Sequence, residues 1–324
     1  MKPPLLSIEN LGVSYRAGGQ STHVLDGVDL EIGYGQSVGL VGESGSGKST
    51  IAFAILGLLA ENAEVSAGRV TFDGLEQRLG TADIARLRGA DVAMIFQDPM
   101  TALNPMFTIG TQLVDVQRRR FPREGRQALW ARAEAMLTDV GVQDAAQRMK
   151  RYPHEFSGGM RQRVVIAMAL LVEPKLLIAD EPTTALDATV EAQVVEMLHR
   201  LRRRTSASML VVSHSLGLIA ELCDSVVVMY AGTVVESGPV DSVLRQPRHP
   251  YTRALLACEI DPYVPFDPSK DLATIAGSVP DLSHRPPGCI FAARCASRHE
   301  LCLEKPRTKR VEGGHAYRCW LEAA

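Results

Sequence analysis

The chain has 324 residues, 35 basic against 37 acidic side chains, a formal charge of −2 and a hydrophobic fraction of 46%. That length supports one large domain or two with an ample core, and the near-balanced charge gives no bulk electrostatic case for a nucleic-acid partner. The N-terminal MKPPLLSIENLGVSY lacks the apolar core of a signal peptide, and the runs IAFAILGLLA and VVIAMALLVEPKLLIA are too short, or interrupted by Glu173 and Lys175, to cross a bilayer. A soluble chain, cytoplasmic by default, is expected, in which stable disulfides are disfavoured. The basic runs Arg118–Arg120 and Arg202–Arg204 read as solvated helix ends, where arginine complements the negative end of the helix dipole.

In chain order, the first motif with chemistry is VGLVGESGSGKST, residues 38–50. An apolar strand ending near Val41 runs into Gly42-Glu43-Ser44-Gly45-Ser46-Gly47-Lys48-Ser49, and the helical run that starts at Thr50 follows at once. The glycines let backbone N–H groups fold around a polyphosphate, and the helix adds its positive N-terminal end. Lys48 would reach the β- and γ-phosphates and the Ser49 hydroxyl would bind Mg²⁺.

The stretch from Gln97 to Ser157 contains helical patterns such as RQALWARAEAMLTDVG and the loop RYPHEF, which suits a small helical subdomain. Ser157-Gly158-Gly159-Met160 then opens an apolar helix, a second N-terminus suited to an anion with no obvious ligand in its own domain. The run KLLIADEP, residues 175–182, places Asp180 and Glu181 at a strand's C-terminal end, the edge where ligands bind in parallel α/β sheets. Asp180 is suited to hold Mg²⁺ through water, and Glu181 to polarise a water for attack on the γ-phosphorus.

Four of the six cysteines crowd into CIFAARCASRHELCLEKPRTKRVEGGHAYRC, residues 289–319, separated by five, six and sixteen residues. These gaps lack the paired C-x₂-C knuckles of zinc ribbons and the tight bacterial ferredoxin run. Four neighbouring reduced thiols suggest a tetrathiolate site, with Zn²⁺ and an iron–sulfur cluster both open. Cys223 and Cys258 lie outside this group and read as packing.

Together these motifs resemble the ATP-binding-cassette family strongly, over essentially the whole chain. The resemblance implies an α/β fold: a P-loop ATPase core with an antiparallel β subdomain and a helical subdomain, plus a small Cys-rich C-terminal extension. It places the ATPase domain at 1–245, its helical subdomain at roughly 99–158, and the extension at 246–324. Ser157-Gly158-Gly159-Met160 looks like the signature motif that closes over ATP held by a partner cassette, with Met160 where glutamine is commoner. Tyr15 matches the aromatic that stacks on adenine. Gln97 matches the glutamine that touches Mg²⁺ and the attacking water, and His214 the switch histidine at the γ-phosphate. Asp187, in TALD, matches the loop that communicates across the dimer. Ser215 stands where aspartate is common.

The insertion carries no long heptad arm of the DNA-repair type, and one set of motifs disfavours translation-associated tandem cassettes. The Arg248-His249-Pro250-Tyr251-Thr252 run resembles the C-terminal extension of oligopeptide and dipeptide importers. That implies an ATP-hydrolysing importer subunit, paired with a second homologous ATPase, in a heterodimer, and with two transmembrane permease subunits and an extracytoplasmic substrate-binding protein, peripheral to the cytoplasmic face of the inner membrane. Relatives in the same group move nickel, opines, glutathione or oligosaccharides, which keeps those cargoes open. A regulatory iron–sulfur protein that senses ATP is the alternative of another class. In similar tails the four cysteines hold a 4Fe–4S cluster, so Cys289, Cys295, Cys302 and Cys319 map onto its ligands, with Zn²⁺ as the alternative. Arg294, Arg298 and Arg318 lie among them and are placed to offset cluster charge.

Overall fold

The computed structural model describes residues 3–79, 81–184, 188–204, 206–259 and 273–321. The chain divides into two compact units, one of Met1–Gly33, Ser37–Gly80 and Val211–Ala324, the other of Tyr34–Gln36 and Thr81–Leu210. Five strands open the first unit: β1 (Leu6–Ala17), β2 (Gln20–Ile32), β3 (Ser37–Val41), β4 (Ala63–Phe72) and β5 (Leu75–Gln77). Four of them form an antiparallel sheet in the order β2-β1-β4-β5. The β1–β2 hairpin pairs Ala17 with Gln20, which leaves Gly18-Gly19 as a two-residue turn. Both glycines have positive φ, 57° and 81°, as a hairpin turn matching the strand twist requires. On β1 the residues Leu6, Ile8, Leu11 and Val13 are buried, and irregularities in register between Ile8 and Val13 keep all four on the core side.

In the second unit, β6 (Val92–Ile95) and β7 (Leu176–Asp180) pair in parallel, and β7 is buried along its whole length. Runs such as LLIA, apolar at every position, are what a strand covered on both faces requires. The helices Ile109–Gln117, Arg126–Asp139 and Gly158–Leu170 pack together. Their apolar stripes bury Leu113, Leu129 and Leu137 fully, each contributing roughly 1.5–3 kcal/mol by area. Arg119, from one of the basic runs, donates to the carbonyls of Ala85 and Arg86, where the helix Ala82–Leu87 ends. A cation at free C-terminal carbonyls is the dipole complement expected there.

The chain returns to the first unit within β8 (Ser208–Ser213) and continues through β9 (Ser225–Tyr230), β10 (Thr233–Pro239), the helices Val240–Arg245 and Pro250–Cys258, and the short strands β11 (Lys309–Arg310) and β12 (Ala316–Tyr317). Here β9 lies between β3, which it pairs in parallel, and β10, which it pairs antiparallel; β12 and β11 extend the sheet outward from β10. The parallel pair matters for chemistry, because the loop that leaves β3 starts at the carboxyl end of a buried strand. Among the described residues, no helix is long and apolar enough to cross a membrane.

Candidate nucleotide-binding site

The glycine-rich loop follows β3 directly and ends in the helix Lys48–Leu56. Gly42 adopts φ 155°, and a Cβ there would meet the carbonyl oxygen of Met229 at 2.2 Å, so the turn out of the strand admits only glycine. Lys48 is buried, and its Nζ donates to the carbonyls of Gly42 (2.7 Å) and Glu43 (3.1 Å). A buried ammonium held against its own loop stands where a polyanion would be neutralised. Ser46 is also buried, and its Oγ finds no hydrogen-bond partner among the described residues. An orphaned hydroxyl inside a loop of backbone N–H groups fits an oxygen-rich ligand. Ser44 and Gly45 are exposed at the tip, and Ser49 and Thr50 are half-buried in the first helical turn.

Glu43, which the motif leaves unspecified, is the best-anchored residue of this loop. Its N–H donates to the Tyr251 hydroxyl (2.9 Å), its carbonyl accepts from the Ser46 N–H (3.1 Å), and its carboxylate meets Arg294 at 2.7 and 3.0 Å. Burial raises the Tyr251 phenol well above its ordinary pKa, which keeps it protonated.

The second unit brings Gln97 and Glu181 together: Gln97 Nε2 donates to Glu181 Oε2 at 2.7 Å, and Thr184 Oγ1 donates to the same oxygen at 2.9 Å. Glu181 follows β7 with φ 46°, a left-handed conformation that non-glycine residues adopt at a cost of order 1–3 kcal/mol. Asp180 closes the strand and is buried, whereas Gln97 is exposed. Gln162 carries no motif signal, yet it is buried, and its Nε2 donates to the Pro182 carbonyl at 2.7 Å. It ties the signature helix to the segment that follows β7. In the sequence it stands between Arg161 and Arg163, ahead of the apolar run VVIAMAL, with nothing to mark it as buried.

Ser157 caps that helix, its Oγ accepting from the Met160 N–H at 3.4 Å, and Ser157 and Gly158 are exposed. Tyr15 is half-buried on β1, and His214 is exposed just past β8. Ser215, which departs from the aspartate of the common pattern, caps the helix Leu216–Leu222 by accepting from the Leu218 N–H at 3.2 Å. Serine and aspartate both serve at that position, so the departure preserves the local fold. Asp187 lies outside the described residues.

Three of the tail cysteines, Cys289, Cys302 and Cys319, are buried and Cys295 is half-buried. The thiols are close enough to feel one another's charge, and burial together with those neighbours pushes Cys289 up to about 11. Among the described residues, however, no group of three or more Cys, His, Asp or Glu stands at metal-holding spacing. Two of the three arginines read as offsetting cluster charge are engaged elsewhere: Arg294 with Glu43, and Arg318 with Asp29 (3.5 Å), Thr308 and the Gly27 carbonyl. Cys223 is buried and Cys258 is half-buried.

Comparison with known proteins agrees with this geometry. The ABC transporter family matches residues 25–184, and the oligopeptide/dipeptide transporter C-terminal region matches residues 235–302. The dipeptide transport ATP-binding protein DppD of Bacillus subtilis is 44% identical over 322 residues, covering 98% of this chain and 95% of that protein. The oligopeptide transport ATP-binding protein OppD of Haemophilus influenzae is 44% identical over 322 residues, covering 99% and 98%. Among solved structures, cbiO1 from Clostridium perfringens, part of the ABC transporter complex cbiONQ, aligns with a TM-score of 0.64 at 26% identity, over 76% of this chain and 92% of that one. A bacterial ABC transporter cassette solved as a dimer aligns with a TM-score of 0.64 at 26% identity, over 72% and 98%. A likeness that holds at 44% over almost the full length of both chains establishes that the protein belongs to the ATP-binding-cassette transporter family, in its oligopeptide and dipeptide branch.

Proposed function

We propose that the chain is the ATP-hydrolysing subunit of a bacterial importer for oligopeptides or dipeptides. The observation that carries the reading is the phosphate loop, with the Lys48 ammonium buried against its carbonyls and, beside it, the Ser46 hydroxyl, which has no partner among the described residues. The cargo class rests on the full-length relatives, which are dipeptide and oligopeptide transport ATP-binding proteins.

In this reading the loop residues Gly42 and Ser44–Thr50 hold the ATP phosphates, Lys48 neutralises them, and Tyr15 stacks on the adenine. Ser49, Gln97 and Asp180 would hold Mg²⁺, which would supply positive charge to offset that of the phosphates. Glu181 polarises the attacking water, and Gln97 and Thr184 fix its carboxylate by donating to Oε2. His214 contacts the γ-phosphate. Ser157–Met160 closes over ATP bound by a second, homologous ATPase subunit, and Asp187 links the two across the dimer. Two permease subunits and an extracytoplasmic binding protein complete the importer, with this chain on the cytoplasmic face of the inner membrane. Cys289, Cys295, Cys302 and Cys319 are the proposed ligands of a 4Fe–4S cluster on the resemblance of this tail alone; three of them are buried, but the thiols as placed do not stand at metal-holding spacing.

The test is Glu181→Gln in the assembled transporter. Losing a positioned base costs on the order of 10²–10⁴ in turnover, whereas ATP affinity, which depends on the loop, stays within a few-fold. Turnover at the wild-type rate would remove Glu181 from the role given to it.

A further inference from the structure

Beyond the nucleotide site itself, we infer that Arg294, in the cysteine-rich tail, is a positioning residue for ATP binding that holds the phosphate loop in shape through Glu43. The inference rests on the reading of residues 42–50 as the ATP phosphate loop. All the atoms involved belong to the first unit.

The guanidinium of Arg294 is almost completely buried, its side chain 5% exposed, and every one of its N–H donors has an acceptor. Nε donates to the Ala276 carbonyl (2.8 Å), and Nη1 donates to Glu43 Oε2 (2.7 Å) and the Tyr230 hydroxyl (3.3 Å). Nη2 donates to Glu43 Oε1 (3.0 Å) and the Ile275 carbonyl (2.9 Å). The Ala276 and Ile275 carbonyls fix the fork from the tail side, so it arrives at Glu43 already oriented. A planar, bidentate pair of this kind fixes direction as well as distance, which lysine at the same place cannot do.

The pair acts on the loop because Glu43 is held from two sides. Its carboxylate is gripped by Arg294, while its N–H is gripped by the Tyr251 hydroxyl. Tyr230, Tyr251 and Phe291 pack against one another with ring centroids 4.7–5.3 Å apart, and this cluster seats both grips on one rigid base. The carbonyl of the same Glu43 accepts from Lys48 Nζ and from the Ser46 N–H. Tail, aromatic cluster and loop therefore form one chain of contacts that ends on the lysine and the serine facing the phosphates. Without the Arg294 grip the loop samples more conformations, and ATP must then order it on binding, at a cost in affinity. Gln97 and Glu181, the groups assigned to chemistry, are not members of this series of contacts, so turnover at saturating ATP is expected to stay unchanged. Since Arg294 immediately precedes Cys295, any rearrangement of the cysteine segment reaches the loop by this route.

The experiment measures binding of a fluorescent methylanthraniloyl-ATP with Mg²⁺ to the full chain, and steady-state hydrolysis by the assembled transporter. The variants are Glu43→Gln, Arg294→Gln, Arg294→Lys and the Glu43→Gln/Arg294→Gln pair. Each Gln variant is expected to weaken binding roughly tenfold, and the pair no more than either alone, because both remove the same interaction. Arg294→Lys, which keeps the charge, falls between the wild type and Arg294→Gln. KM for ATP rises by about the same factor while kcat stays within about twofold; a merely destabilised chain would lower kcat through a lost active fraction and leave KM alone. Binding within twofold of wild type in both Gln variants, a loss confined to Arg294→Gln, or a fall in kcat at constant KM would each overturn the inference. Lys48→Ala separates it from the reading beneath it. If Lys48→Ala abolishes binding while the Glu43 and Arg294 variants bind normally, only the Arg294 role falls. If Lys48→Ala binds as the wild type does, the phosphate-loop reading falls with it.

Discussion

Lowering the pH from 7 to 5 should weaken the first unit through His249. This residue is 1% exposed, and burial holds its pKa at about 3, against 6.5 for a solvated ring. The hydrogen bonding agrees with a neutral imidazole. Nδ1 accepts the Tyr251 N–H at 3.1 Å and so caps the helix Pro250–Cys258, where a proton on that nitrogen would put donor against donor at the positive end of a helix. The Glu236 carboxylate, which accepts the His249 backbone N–H at 3.0 Å, favours the cation, but desolvation prevails. Because the folded value is depressed, the unfolded chain binds a proton between about pH 6.5 and 3 that the folded chain refuses, and stability falls as pH drops through that window. At pH 5, 1.5 units below 6.5, the loss is about 2 kcal/mol at 1.36 kcal/mol per unit; at pH 7 it is close to zero. Urea unfolding of the full chain at both pH values, compared with His249→Asn, isolates this term, since asparagine keeps a capping oxygen and does not titrate. The wild type should lose about 2 kcal/mol more than the variant on going to pH 5. An identical pH dependence in the two chains would refute the reasoning.

Two further outcomes follow from buried groups. Glu236 is fully buried and accepts from the Arg248 N–H (2.6 Å), the His249 N–H (3.0 Å) and His315 Nε2 (2.7 Å), so Glu236→Gln turns an acceptor toward a donor and should cost about 2–4 kcal/mol. Calorimetry should show a midpoint lower by several degrees, and a shift under about 1 °C would contradict the account. Protein purified anaerobically should carry about four irons per chain with broad visible absorbance, both lost in Cys302→Ser; stoichiometric zinc, or no metal, would overturn the cluster.

Much of the nucleotide site was legible because glycine spacing dictates backbone geometry. A strand, six loop residues and a helix can be read from GESGSGKS, and Asp180 and Glu181 fall where an apolar run must end. The Arg248–Thr252 stretch was visible as a resemblance, but its physics was not. His249 caps, Pro250 starts the helix, and Tyr251 reaches the backbone of Glu43. Nor could the sequence reveal that Arg294 seeks a loop carboxylate 251 positions away, since no periodicity relates the two. Proximity along the chain pointed to the thiols instead, and three-dimensional packing overrode it. Gln162 was missed for a related reason: its partner is a backbone carbonyl, which leaves no trace in side-chain patterns.

The short strands of the tail also bear on solubility. Strand β12 pairs with Glu236 and Ser237 of β10, and β11 lies outside it as the last rung of that sheet. The outermost rung is thus two residues long, and both residues, Lys309 and Arg310, are cationic. Such a rung is too short and too charged to template strand addition by a neighbouring molecule. A chain cut after the helix Val240–Arg245 would instead leave Glu236 and Ser237 of β10 without their β12 partners and the Val235 carbonyl without the Arg318 N–H. The extension therefore closes the Glu236–Ser237 part of the β10 edge with a short, charged rung, whatever its cysteines bind.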